Sequence, residues 1–311
     1  MTGVHQTCAV VCALGGSHVA RAAFICLFAL IFVSNLAPLS RLLADSEIRS
    51  RSRIGKADTS RSARDNAIRS IPIEKLDSGG RIKVASVLSR LSFFRRMPLH
   101  VTSCDPDMYL FLVRHPDVVV NIWQVLGVGQ LKLRQIDEDT YTVADIDGLT
   151  GKAVFLYRSH DTHVVYVASQ YKGPLFAKPL VGEGLLVLKT GYVREPDGRY
   201  YVTSRLDTFM RVDDGGVEFL TKTFHPLVGN VADTNFIQTS SFLGSLSRTA
   251  EVNNRGVQRL AARLYNVEPG VRKEFAEVAN RVAKKASTAK QLVQNVAMYE
   301  RLGRTRDTRK K

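Results

Sequence analysis

The chain has 311 residues, 45% of them hydrophobic, which suffices for one sizeable globular domain with appendages. The formal net charge is +15, and the basic residues concentrate in two segments, Arg41–Arg69 and Lys284–Lys311. No Walker, Rossmann or G-x-S-x-G pattern follows an apolar strand, so nucleotide-binding and hydrolase motifs have no support. The basic segments predict contact with anionic lipid or an anionic polymer, or else solvated tails that keep the protein soluble.

The N-terminal segment contains an uninterrupted apolar run, Ala22–Val33, directly after Arg21. With Ala44 as a cleavage point, residues 1–45 predict a signal peptide. If the run is retained instead, it is almost long enough to anchor the chain in a bilayer, and the basic residues after it favour a cytoplasmic body. The two alternatives predict opposite compartments for the body, and the localisation that we expect is membrane-associated or exported, in the periplasm or cell envelope.

Residues 46–70 consist mainly of Arg, Ser and Asp, which is typical of a disordered basic linker. We therefore expect the folded body to span residues 71–266, with an amphipathic helix and basic tail at 267–311. Cys104 is the only cysteine in the body, so no disulfide framework is expected there. A first helix is predicted over 82–94 and a short strand over 99–103.

The stretch DPDMYLFLVRHPDVVVNIWQVLG (105–127) predicts two short helices that meet at a bend. Asp105 is suited to cap a helix whose first residue is Pro106. Pro116 lacks the amide that a continuous helix would need, so a second helix begins there. That helix carries Trp123, the only tryptophan of the chain, and it is expected to end at Gly127.

Runs rich in Val, Tyr, Leu and Thr follow, separated by turns that contain Asp or Gly, and they predict an antiparallel meander. The runs are QLKLRQI, TYTVADI, KAVFLYR, THVVYVASQY, GLLVLKTGYV, RYYVTSRLDTFMRV and GVEFLTKTF. The stretch 169–184 is too irregular to predict a regular strand pair.

A closing helix is predicted from apolar residues that recur every three, four or seven positions, namely Phe236, Leu243, Leu246, Ala250, Val257, Leu260 and Leu264. Asn253 interrupts this stripe, so the helix is expected to bend or break there. A second amphipathic helix is predicted over 270–302. We expect it to pack on the body or to pair with a second copy, with contact to a membrane surface as the alternative.

The order of strand, broken helix pair, meander and closing helix resembles the helix-grip fold of the START and Bet v 1 superfamily, which includes polyketide cyclases. The resemblance covers residues 99–264 and includes the pattern Asp105-Pro106-Asp107, His115-Pro116-Asp117 and Trp123. The sequence also resembles a bacterial family without an assigned activity. The fold class implied is α+β, with a curved antiparallel sheet gripping a long C-terminal helix, a broken helix pair near its start and an extra C-terminal amphipathic helix.

Candidate chemical residues are few, and each has a structural alternative. His160 and His163 lack a third ligand in sequence, so we predict no metal and no cofactor. His115 and His225 are candidate acids or bases, although a structural histidine is the commoner role. The sequence is therefore more consistent with binding than with catalysis.

In the implied fold, ligands occupy the cavity between the sheet and the closing helix. Candidate cavity residues are Trp123, Leu246, Val257, Lys189 and Arg205. The first hypothesis is an envelope-associated module that binds an apolar or amphipathic small molecule, with lipid as one candidate ligand. The second is a cyclase-like or hydrolase-like enzyme, and the third is a structural or polyanion-binding protein.

We predict that residues 1–70, fused to a reporter that is active only after export, give reporter activity outside the cytoplasm. The reason is the apolar run that follows Arg21 and precedes a polar segment. Reporter activity confined to the cytoplasm would exclude export and favour the retained anchor with its basic side inward.

Overall fold

The structure, a computed structural model, describes residues 53–172, 179–196, 198–213 and 225–307. The predicted signal peptide or anchor, the start of the predicted linker and the predicted strand GVEFLTKTF lie outside the described residues. Within the ranges that are described, no helix is both long enough and apolar enough to cross a membrane.

One antiparallel sheet contains every strand of the described ranges. These are β1 (Arg53–Ile54), β2 (Phe93–Arg96), β3 (Leu99–Ser103), β4 (Lys132–Gln135), β5 (Thr140–Ala144), β6 (Leu149–Arg158), β7 (Thr162–Tyr171), β8 (Leu180–Arg194) and β9 (Tyr200–Val212). The helices are α1 (Arg61–Arg69), α2 (Ser78–Ser89), α3 (Pro106–Arg114), α4 (Pro116–Val125), α5 (His225–Val252), α6 (Asn254–Ala262) and α7 (Pro269–Asp307).

The strand order is β1-β3-β9-β8-β7-β6-β5-β4, and β2 also pairs with β9. Strands β2 and β3 occupy successive halves of the long strand β9, with Phe93 opposite Met210 and His100 opposite Ser204. From β4 to β9 each strand pairs with the next one in sequence, which confirms the predicted meander. Together with the long closing helix, this is the predicted α+β helix-grip architecture.

The broken helix pair is also confirmed. The side chain of Asp105 accepts hydrogen bonds from the backbone amides of Asp107 and Met108, which caps α3. His115 leaves the helical conformation, with φ −121° and ψ 69°, and α4 begins at Pro116.

The closing helix breaks where the sequence predicted. Helix α5 ends at Val252, and the side chain of Asn253 accepts a hydrogen bond of 3.1 Å from the Gly256 amide at the start of α6. Helix α7 then packs against α5 and α3, and its Phe275 ring stacks on Phe111 at 5.8 Å. The first part of the predicted tail helix therefore packs on the body, whereas its side chains from 292 onwards lie outside the described part.

Three local predictions differ from the structure. Residues 61–69, assigned to the disordered linker, form α1, which Ser60 caps and whose Ala63 and Ala67 are buried. Alanine side chains are small, so they let a helix approach a sheet closely. They contribute little apolar surface, however, and the linker prediction depended on apolar content.

The second difference concerns the predicted helix over 82–94. The structure has α2, which Asp77 caps, followed by the strand β2.

The third difference concerns the stretch that was too irregular for a strand pair. Strand β7 continues to Tyr171 and β8 begins at Leu180, so regular pairing extends into both ends of it. Gly182 and Gly184 lie within β8, where they disrupted the alternation of apolar and polar residues that predicts a strand.

The sheet is covered on both faces. On the face that we call outer, α1 and α2 pack over apolar side chains of β2, β7, β8 and β9, including Phe94, Val164, Val187 and Phe209. On the inner face, the main core joins the sheet to α3, α4, α5, α6 and α7. The N-terminal helices thus make a second hydrophobic layer outside the helix-grip unit.

An ion pair on the outer face is expected to be important for stability. The fully buried Asp207 accepts hydrogen bonds from Nε and Nη2 of Arg96, at 2.7 and 3.0 Å. We predict that Asp207→Ala lowers the free energy of unfolding by roughly 3–5 kcal/mol, because it leaves the Arg96 charge without its buried partner. Urea unfolding measures this change.

The matched control is Glu251→Ala, which removes the carboxylate of the exposed pair with Arg248. We expect a loss of no more than about 1 kcal/mol for this variant. Equal losses for the two variants would contradict the importance assigned to Asp207.

Candidate functional site

Some apolar side chains on the inner face of the central strands are less buried than their neighbours on the outer face. On the outer face, Val164 and Val187 are fully buried by the N-terminal helices. On the inner face of the same strands and of β9, Val165, Leu188 and Leu206 are only half-buried, although they border the main core. The inner face therefore retains apolar side chains that are only partly buried.

A row of polar side chains crosses the inner face beside this apolar surface. Thr190, Ser204 and His100 are neighbours on β8, β9 and β3. The hydroxyl groups of Tyr109 and Ser204 share a hydrogen bond of 2.6 Å, which ties α3 to the sheet. The Nε2 atom of His100 lies 3.3 Å from the hydroxyl oxygen of Ser241 on α5.

Burial keeps this row uncharged. It raises the pKa of Tyr109 to about 12 and lowers the pKa of His100 to about 4. At neutral pH both side chains are neutral, so the row is an uncharged contact between the sheet and the helices.

A second polar group lies where the helix pair bends, and we call it the bend site. It comprises Arg114, His115, Tyr141, Arg158 and His163, contributed by the helix pair and by β5, β6 and β7. The hydroxyl group of Tyr141 donates a hydrogen bond of 3.3 Å to the carbonyl of Arg114, so β5 holds the bend against the sheet.

Arg158 reaches the inner face through a β-bulge. The pairing of β6 with β7 shifts between Phe155 and Tyr157, and beyond the shift Arg158 lies opposite His163. The guanidinium group of Arg158 lies 4.0 Å from the centre of the Phe155 ring and donates a hydrogen bond of 2.9 Å to the Glu138 carbonyl.

His163 is almost completely buried within the bend site, with 1% of its surface exposed. Among the described residues, neither of its ring nitrogens has a hydrogen-bond partner. Burial, reinforced by the charges of Arg114 and Arg158, lowers the pKa of His163 to about 4. The imidazole is therefore neutral at pH 7 and has one N–H donor and one acceptor.

His115 lies at the bend itself, and Asp117 follows it in the first turn of α4. Burial lowers the pKa of His115 to about 4, and its Nε2 atom is 3.9 Å from a carboxylate oxygen of Glu274. Burial raises the pKa of Asp117 to about 6. A histidine with so low a pKa is a weak base at neutral pH, which argues against a catalytic role for His115.

The predicted cavity residues separate into two groups. Trp123, Leu246 and Val257 belong to the main core, and the Trp123 ring lies 5.5 Å from that of Phe242 on α5. Their contact with a ligand stays a prediction.

Lys189 and Arg205 lie at alternate positions of β8 and β9 that face outwards, so their side chains do not line the interior. Lys189 donates a hydrogen bond of 3.1 Å to the Thr162 hydroxyl group, and Arg205 lies beside Asp207. The sequence indicated strands at both positions but not which face the side chains occupy, because facing depends on the register.

The remaining histidines do not form a common site. The side chain of His225 lies outside the described part of the chain, although its backbone begins α5. His160 is exposed in the turn after β6, against the Tyr192 ring at 4.4 Å, whereas His163 is buried on the inner face. The described residues contain no group of three or more side chains suited to hold a metal ion.

Sequence reasoning missed both arginines of the bend site. Arg114 had a signal, because it precedes the His115-Pro116 bend, where a helix must end. No feature of the sequence indicated Arg158. If the alternation of faces continued unbroken after Phe155, Arg158 would lie on the outer face, and only the β-bulge places it on the inner face.

The chain matches no protein-family model, and no curated protein is similar to it in sequence. Among solved structures it is similar to a conserved protein from Geobacillus kaustophilus, at 10% identity and a TM-score of 0.33, over 49% of this chain and 93% of that chain. A putative uncharacterized protein from Rhizobium leguminosarum aligns at 15% identity and a TM-score of 0.27, over 47% and 93%.

Norcoclaurine synthase from Thalictrum flavum, in truncated form, aligns at 12% identity and a TM-score of 0.27, over 48% of this chain and 96% of that chain. These similarities are too low to carry an argument about function. The fold assignment rests instead on the strand order, the register and the helix placement.

The low pKa of His163 makes the stability of the protein depend on pH. Because the folded-state pKa is about 4 and the unaltered value is 6.5, the unfolded state binds more protons between these values. We predict that the free energy of unfolding falls as the pH drops from about 6.5 towards 4, and that His163→Gln makes this fall shallower. Urea unfolding across this range measures the slope.

The titration of His163 itself, followed by NMR, provides the control. We expect a midpoint near 4. A midpoint near the ordinary value of 6.5, with an unchanged slope for His163→Gln, would show that the side chain is solvated.

Proposed function

We propose that this protein is a helix-grip binding module that takes an apolar or amphipathic small molecule between the inner face of the sheet and α5. The observation that carries the proposal is the half-buried apolar surface of Val165, Leu188 and Leu206. Binding sites for small molecules are concave and mainly apolar, with a few polar groups that orient the ligand.

The polar groups are suitably placed for an amphipathic molecule. His163 lies opposite Leu188, and Leu188 lies opposite Leu206, so the bend site and the apolar surface adjoin within one row across the sheet. A ligand with an apolar body over β8 and β9 would therefore have its polar end near His163 and Arg158.

Binding is favoured over catalysis by the state of the buried groups. His100, His115 and His163 each have a pKa of about 4 because of burial, so none is a strong base at neutral pH.

The location of the function is a further part of the proposal. The apolar run before the body supports association with the cell envelope, where a lipid would be an available amphipathic ligand. Binding of anionic polymers or lipid surfaces through the basic segments, and self-association through α7, stay predictions.

Ligand binding can be tested with variants that fill the interior. We predict that medium-chain alcohols bind saturably in calorimetry, and that Val165→Phe or Leu206→Phe weakens binding about tenfold or more by occupying apolar surface that the ligand needs. Because Trp123 packs against Phe242 on α5, its emission is expected to report ligand entry.

Val193→Phe is the matched control, because Val193 is 51% exposed and lies on β8 with the alternation of the outer face. This variant should bind as the wild type does. Trp123→Phe identifies any contribution of the tyrosines to the emission. Absence of saturable binding across alcohols, fatty acids and phospholipids would overturn the proposed function.

A further inference from the structure

The bend site contains more positive than negative charge. Arg158 pairs with Asp139 at 3.2 Å, and the Asp139 side chain is 52% exposed. Arg114 has no carboxylate within ion-pair distance among the described residues. Its contact with the Ser159 carbonyl is long, at 3.5 Å. Among the described residues, the two permanent cations thus have one ion-paired carboxylate between them.

Three further acidic groups lie nearby, but among the described residues none of them forms an ion pair with Arg114 or Arg158. Burial raises the pKa of Asp117 to about 6, so this carboxyl group is still mainly ionised at pH 7. Asp161 lies in the turn after β6, where the Ser159 hydroxyl group donates to it at 2.7 Å. Glu274 is 55% exposed and faces His115.

The site also has hydrogen-bonding capacity that the described protein groups leave unused. Both ring nitrogens of His163 and the Nε atom of Arg158 are buried without a partner among the described residues. Buried polar atoms in folded proteins nearly always have hydrogen-bond partners, and each exception calls for an explanation. Guanidinium groups bind carboxylate and phosphate oxygens with short, charge-assisted hydrogen bonds.

We infer that the bend site binds the oxyanion headgroup of the ligand, a carboxylate or a phosphate, through Arg114, Arg158 and His163. The apolar chain of the ligand then lies over Leu188 and Leu206, which adjoin His163 on the inner face. The inference rests on the proposed function and narrows it to anionic amphiphiles.

Three probes with the same alkyl chain separate the two claims, namely decanol, decanoate and decyl phosphate. We expect an anionic probe to bind the full chain about tenfold more tightly than decanol, because it alone forms charge-assisted hydrogen bonds at the bend site. The preferred anion identifies the headgroup as carboxylate or phosphate. Titration calorimetry measures all three affinities.

Arg114→Met is the primary variant, because the long contact with Ser159 is the only hydrogen bond that its guanidinium group makes in the described structure. We expect it to reduce the affinity for the anionic probe about fivefold or more and to leave decanol binding unchanged. His163→Leu should act in the same direction. Arg205→Met, which removes a cation from the outer face, is the matched control and should change neither affinity.

The outcomes distinguish the two claims. If decanol and both anions bind equally well, and Arg114→Met affects them equally, the headgroup site is wrong while the proposed function stands. If Arg205→Met weakens anion binding as much as Arg114→Met does, the preference is a general effect of net charge and the site is again wrong. If none of the probes binds, both the headgroup site and the proposed function fail.

Discussion

The missing backbone donor of Pro116 is the constraint on which the candidate site depends. Since Pro116 has no amide hydrogen, α3 ends with the hydrogen bond from the His115 amide to the Phe111 carbonyl, and the chain turns before α4 begins. The turn brings Arg114 next to β5, where its carbonyl accepts a hydrogen bond from Tyr141. A continuous helix would have no end at Arg114 and would carry the following residues away from the sheet.

The β-bulge in β6 is the second condition, and it explains why the fold was predictable while the site was not. Apolar periodicity, capping residues and prolines are local features, so they predicted the helix pair, the meander and the break at Asn253. The facing of Arg158 depends on a register shift at Phe155 and Tyr157, and the facing of Lys189 depends on its pairing with β7 and β9. Such information is contained in the assembled sheet and not in any single stretch of sequence.

The N-terminal helix α1 also could not be predicted from its own sequence. Ala63 and Ala67 gave a weak apolar signal, yet they are buried against the outer face of the sheet. What makes α1 a folded element is the surface that it contacts, which includes Phe94 from a strand that itself forms only by pairing with β9. Composition considered for one segment alone does not include the surface that the segment packs against, and it therefore assigns such a helix to a linker.

Under the proposed function, the outer layer adds stability from the face of the sheet that the ligand does not contact. On the outer face, Leu185, Val187 and Phe209 are completely buried, and the paired charges of Asp207 and Arg96 add a buried contact. Because burial of apolar surface stabilises a fold in proportion to its area, this layer contributes to stability without involving the inner face. The inner face can then keep accessible apolar side chains and incompletely paired polar groups, each of which would be unfavourable in a protein that depended on that face alone. A sheet supported from outside in this way is well suited to hold an interior site in a fixed shape, which lowers the entropic cost of binding a ligand there.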